Sequence, residues 1–189
     1  AYREGFGNLL AEGSLRASKE IPGSEICLVH AKGMEWIEFY PGLNSEKGRT
    51  LAICTGTRGA DHLRGFLGAL LDHHKIREFG GEEMLKSLKN PQTYLGKGAL
   101  CAIDNDYKAA TDSLEICWLV THETEYGVLE DVDLAQAFSA ATGIDISGDD
   151  LLKVGERIFN VEKAFNIREG LGRKDDSVPD RFLVKEIHG

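Results

Sequence analysis

Residues 147–170 read SGDDLLKVGERIFNVEKAFNIREG, and this stretch decides the fold class. Ser147, with Asp150 three residues on, is a helix start of the capping-box kind, Asp standing where Glu or Gln is usual. Leu151, Val154, Ile158, Val161 and Phe165 then recur every three or four residues, which makes one apolar stripe on an α-helix. Gly170 closes the helix and Gly172 begins a loop.

The same signals appear upstream. Residues 5–19 read as one amphipathic helix through Leu9, Leu10, Leu15 and Ala17, stopped by Pro22-Gly23. Between Glu25 and Tyr40, Ile26, Val29, Trp36, Ile37 and Phe39 predict one or two short strands, and residues 41–44 a turn. Residues 47–56 are ambiguous. Asp61 opens a helix expected to run to about Leu71. Residues 73–97 are polar, with Gly80-Gly81 and Asn90-Pro91, and predict a short helix over 82–89 within a mobile insertion. From Ala99 to about Trp118, Ile103, Tyr107, Ala110 and Leu114 give a helix core face, and 133–141 a short helix ended by Gly143. The expected fold is therefore all-α, or mainly α, with a β-hairpin near residues 25–40. No strand–helix alternation points to a parallel sheet. The place to divide the chain is the loop around 41–47, giving segments 1–44 and 45–189.

The chain has 189 residues, enough for one core. Its net charge of -9 argues against nucleic acid and against anionic membrane surfaces, both of which call for basic patches. No apolar run approaches the roughly 20 residues of a membrane helix. Ala1 in place of an initiating methionine reads as a processed or cut N-terminus. Cys27, Cys54, Cys101 and Cys117 contain no close pair of the zinc-knuckle type, and each alone reads as a small buried hydrophobe.

Few residues suggest chemistry by pattern. His62 and Arg64 follow a Gly-containing turn and could meet an anion at a helix N-terminus; the commoner reading is a surface helix start capped by Asp61. Asp112 and Cys117, five residues apart, lie about 140° apart on an ideal helix, so they share a site only if the helix ends between them. Otherwise they are an exposed acid and a buried thiol. His73-His74 point about 100° apart and rarely chelate one ion, while His30, His122 and His188 stand alone. Arg173-Lys174-Asp175-Asp176 reads as an exposed, self-paired loop.

Taken together, several segments resemble the tungsten-containing aldehyde:ferredoxin oxidoreductase family. They are Gly5 to Gly13, Val29 to Glu35 (similar to a "VKGLE" segment), Thr57 to Gly65, Gly155 to Gly170, and Arg173 to Asp176 with Pro179. The likeness spans nearly the whole chain outside residues 73–98. It implies the multihelical C-terminal part of such an enzyme, with 1–44 the remnant of the preceding helical domain. It also implies a tungsten or molybdenum bis-pterin and a 4Fe–4S cluster, both only in a full-length protein that continues past Gly189 and begins upstream of Ala1. The reaction implied is oxidation of an aldehyde to a carboxylate with ferredoxin as electron partner, in the cytoplasm, and a homodimer is admitted. The isolated piece is expected to be inactive. By residue, the resemblance makes His62 catalytic, Arg64 a basic pterin contact where lysine is frequent, Asp112 a pterin acceptor and Cys117 a cluster ligand. Asp112 to Cys117 stands in the place of a "DxxGLC" motif, with Ile116 at its leucine, a cofactor-binding position, and Glu115 at its glycine. Tyr40-Pro41-Gly42 stands where many relatives have Asp-Pro-Arg. Two alternatives remain: a cofactor-bearing subunit of the aromatic acyl-CoA reductase kind, and a diverged, non-catalytic helical scaffold.

Overall fold

The computed structural model describes residues 3–37, 46–64, 74–117, 120–121 and 129–184. The turn at 41–44, the 44/45 division, the helix expected beyond Arg64, Trp118, Tyr40-Pro41-Gly42, His73, His122 and His188 lie outside these residues. The helices are α1 (Gly5–Leu10), α2 (Ser14–Glu20), α3 (Lys47–Thr55), α4 (His74–Lys89), α5 (Lys97–Ser113), α6 (Asp131–Thr142), α7 (Gly148–Arg168) and α8 (Asp180–Val184). Short 3-10 turns cover Glu25–Cys27, His62–Arg64 and Arg173–Asp175. The sheet among the described residues is one antiparallel hairpin, β1 (His30–Ala31) with β2 (Met34–Glu35), joined by Lys32 and Gly33, both at positive φ. Such a two-residue turn matches the twist of a hairpin. The mainly α reading and the hairpin near residues 25–40 are both seen.

Helix α5 is the centre of the packing. Leu100, Cys101, Tyr107 and Ala110 are buried on it and meet Ala52 of α3, Leu88 of α4, Leu134 and Ala135 of α6 and Leu151 of α7. Each large apolar side chain removed from water in this way contributes about 1.5–3 kcal/mol before entropy is counted. A second cluster joins Ala31 and Trp36 of the hairpin region to Ile53 and Cys54 on α3 and to Ala60, with Val178 and Phe182 packed against it. Trp36 and Phe182 meet edge to face with centroids 5.4 Å apart. Residues from both sides of position 44 thus share one core.

Several sequence expectations differ from the structure; among them, the helix expected from Ala99 to about Trp118 ends at Ser113. The single helix expected over 5–19 is two helices, because Gly13 takes φ 84° between them. The polar stretch 74–79 is itself helical, but Gly80 (φ -168°) and Gly81 (φ 63°) leave helical geometry, so the short helix over 82–89 starts after a break as expected. On α7 the apolar stripe turns outward: Leu151 is buried, but Val161 is 69% and Phe165 57% exposed. The inward face beyond Phe159 carries Glu162 and Asn166 instead, which bond to the Thr57–Arg64 segment. At the N-terminus of α7, the Ser147 hydroxyl accepts from the Asp150 amide at 3.1 Å, as the start signal predicts.

At the α5–α7 crossing lies Asp106. Burial, with the Glu156 carboxylate nearby, pushes its carboxyl up to about 6. The folded state therefore binds this proton more tightly than the unfolded chain, so the stability it contributes is present below about pH 4 and is lost as pH rises through 6. Asp106→Asn is expected to match wild type in thermal midpoint near pH 4 and to exceed it near pH 8. An unchanged difference between the two pH values would remove this account.

Candidate cofactor-facing site

The end of α5 sets the site. The last helical residue is Ser113, and Leu114 is the cap. The Glu115 amide donates to the Asp112 carbonyl and the Ile116 amide to the Thr111 carbonyl, each at 3.1 Å. These two bonds make a Schellman stop, which requires a left-handed residue at the Glu115 position. Glu115 takes φ 58° there and is exposed. So the helix does end between Asp112 and Cys117, the condition under which they can share a site. It also explains why glycine suits the position Glu115 occupies: the turn, not close packing, sets the demand. A left-handed L-residue costs about 1–2 kcal/mol, partly offset by the greater unfolded freedom of glycine. Glu115→Gly is expected to raise stability by about 1 kcal/mol, read as a higher urea midpoint at unchanged slope.

Opposite this stop lies the Thr57–Arg64 segment. Gly59, at φ 104°, packs so closely on the hairpin that a Cβ would lie 2.7 Å from the Ala31 carbonyl oxygen and 2.8 Å from Met34 Cβ. Asp61 is buried and its Oδ1 accepts from the Leu63 amide at 2.9 Å, while its Oδ2 pairs with Arg58. Asp61 thus caps the His62–Arg64 turn, as expected from sequence. That turn is a single 3-10 element in which His62 is half-buried.

The structure brings Arg64 and Asp112 together. Arg64 Nε lies 3.2 Å from Asp112 Oδ2, and the Lys108 ammonium pairs with Asp112 Oδ1. Arg64 Nη1 donates to both oxygens of Glu162, at 2.9 and 2.8 Å. Thr57 Oγ1 donates to Glu162 Oε2 at 2.5 Å, and Asn166 Nδ2 donates to the Thr57 carbonyl at 2.7 Å. Ile116 is half-buried against the α5 core, and Cys117 is an exposed thiol. Cys27 is also exposed, so the buried reading fails for both. It holds for Cys54 and Cys101, whose thiols burial pushes up to about 11, which makes them poor nucleophiles and ligands.

Sequence reasoning missed Glu162, Thr57 and Lys108. The signal for Glu162 was present: it is an acid on the face that continues Leu151 and Gly155 at helical spacing. The reading of 173–176 as self-paired is corrected. Asp176 Oδ1 lies 2.6 Å from Nζ of the buried Lys32 and 3.4 Å from that of Lys163, because the loop folds back onto the hairpin. A cavity of about 220 Å³ opens beside them, lined by Lys163, Asn166, Arg173 and Asp176 among others.

The residues fit a polar, partly anionic cofactor edge. A carboxylate has about four acceptor sites, and the two cations beside Asp112 leave it about one-third exposed. Among the described residues no three His, Cys, Asp or Glu side chains converge as around a metal ion. The described architecture is mainly helical, with one small hairpin beside the site. In comparison with known proteins, the family described as aldehyde ferredoxin oxidoreductase, domains 2 and 3, matches residues 1–189. The chain belongs to that family. It is 31% identical to the tungsten-containing aldehyde ferredoxin oxidoreductase of Pyrococcus horikoshii, 30% to that of Pyrococcus furiosus and 31% to that of Thermococcus kodakarensis. In each case 99% of this chain is covered, and it spans 28% of the relative's length. No described helix is long and apolar enough to cross a membrane.

Proposed function

We propose that this chain forms one pterin-facing wall, and supplies one iron–sulfur ligand, of a tungsten- or molybdenum-dependent oxidoreductase that oxidises an aldehyde to a carboxylate and passes the electrons through a 4Fe–4S cluster to ferredoxin. The observation that carries this reading is the placement of Arg64 at 3.2 Å from Asp112, at the helix stop that precedes the exposed Cys117. In this reading Asp112 accepts from pterin N–H groups and Arg64 donates to the cofactor's acceptor atoms. Cys117 binds iron as the thiolate, its remaining partners coming from elsewhere in a longer protein. His62, two residues before Arg64, holds the substrate oxygen or carries a proton on its imidazole. When bound, the metal supplies the two-electron oxidation.

Elemental analysis of the full-length gene product, purified without oxygen after growth with tungstate and molybdate, tests the reading. About one tungsten or molybdenum and four irons per chain are expected. Cys117→Ser is expected to lose most of the iron and the EPR signal of the reduced cluster. Full iron with the native signal would remove Cys117 as a ligand. A wild type holding neither metal nor iron would favour the scaffold reading.

A further inference from the structure

We propose that Glu162 is the positioning residue for Arg64, an inference that rests on the cofactor reading above. A guanidinium carries five N–H donors on three nitrogens. Here Nη1 is held by both oxygens of Glu162, at 2.9 and 2.8 Å, while Nε lies at ion-pair distance from Asp112, 3.2 Å, without forming a hydrogen bond. Among the described residues Nε is buried without a hydrogen-bond partner, so Nε is the nitrogen left to donate to a bound group. Arg64 is only 17% exposed, so its orientation is set by these partners rather than by water.

Glu162 is itself fixed. It accepts from Thr57 Oγ1 at 2.5 Å, and Asn166, one turn further along α7, donates to the carbonyl of the same Thr57. Helix α7 therefore clasps the Thr57 segment at two points and offers a rigid carboxylate to Arg64. The consequence concerns Asp112. Its Oδ1 is already paired with Lys108. Without the Glu162 charge, the guanidinium would turn its fork onto Asp112, the nearest remaining carboxylate, since bidentate Arg–carboxylate pairing is strongly favoured. That turn would take up the acceptor positions a pterin needs and would engage Nε. Glu162 thus keeps Arg64 off Asp112. A lysine in place of Arg64 has one nitrogen and cannot bridge the two carboxylates with the same geometry.

The test uses the full-length holoprotein and the variants Glu162→Gln, Arg64→Lys and the double variant. Glu162→Gln keeps the shape and an acceptor for Thr57 but removes the charge. Four readouts are taken: metal and iron per chain, thermal midpoint, kcat/KM for an aldehyde, and the EPR g-values of the partly reduced tungsten or molybdenum. Glu162→Gln is expected to lower kcat/KM about 10-fold and to shift the g-values at near-native iron content and midpoint. In the Arg64→Lys background it is expected to change neither further, because the effect runs through the guanidinium. Unchanged g-values and kcat/KM in Glu162→Gln would overturn the role. So would equal fold-losses in both backgrounds, which would make Glu162 a structural tie alone. A wild type without tungsten or molybdenum would remove the functional reading and this role with it, an outcome decided on the wild type before any variant is compared.

Discussion

Replacing Gly155 by alanine is expected to destabilise the protein by at least about 3 kcal/mol, a fall of about 10 °C in thermal midpoint. Gly155 is buried where α7 crosses α5. A Cβ there would lie 1.8 Å from the Asp106 carbonyl oxygen and 2.7 Å from its carbonyl carbon. The obstacle is backbone, so no rotamer change relieves it. The helices must separate along their most extensive contact, and Leu151 and Tyr107 lose their packing with them. Helix propensity alone predicts the opposite sign, since alanine is favoured over glycine by about 1 kcal/mol inside a helix. Gly98, in the first turn of α5 with no atom within 4 Å of its Cβ position, supplies the control. Gly98→Ala is expected to stabilise slightly, by less than about 1 kcal/mol. A Gly155→Ala protein melting at or above wild type would mean that the two helices do not cross at this glycine.

That crossing also marks how far the sequence could be read. The first half of α7 was legible, because its start residue and its apolar spacing agree with what it buries. The second half was not, because the face that packs inward there is polar: Glu162 and Asn166 find partners about 100 residues upstream, and local periodicity cannot see them. Helix α3 was ambiguous for a different reason. Ala52 enters one core cluster while Ile53 and Cys54 enter the other, so burial surrounds the helix and leaves no stripe. The candidate site shows the same division. The Asp61 cap was readable, being a contact between near neighbours. Cys117 as a residue beyond a helix end was readable only as a condition, since Glu115 gives no hint of the left-handed turn that a glycine would have announced. The Arg64–Asp112–Glu162 cluster draws on three separate segments: pattern marked Arg64 and Asp112 separately, resemblance to a family gave them their roles, and neither pointed to Glu162.

An asymmetry between partners is expected at the Lys32–Asp176 pair. The Lys32 side chain is only 4% exposed, and its ammonium bonds to Asp176 at 2.6 Å and to the Cys54 carbonyl. Asp176 is 21% exposed and has a second cation, Lys163, at 3.4 Å. Removing one member of a buried pair costs about 3–5 kcal/mol when the other is left as an uncompensated charge. Asp176→Ala leaves Lys32 in that state, with a neutral carbonyl as its remaining partner, and a loss of about 3 kcal/mol is expected, the lower end because Asp176 is partly open to solvent. Lys32→Met leaves Asp176 with Lys163 and with water, and the methionine fills most of the volume of the lysine stem, so the expected loss is about 1 kcal/mol. The double variant Lys32→Met/Asp176→Ala should then be more stable than Asp176→Ala alone, because the stranded ammonium is gone. Urea midpoints of the four proteins measure this directly. If Lys32→Met were the costlier single change, or if the two losses simply added, the hairpin would be held to the 173–176 loop by packing around the lysine stem and not by neutralisation of its buried charge.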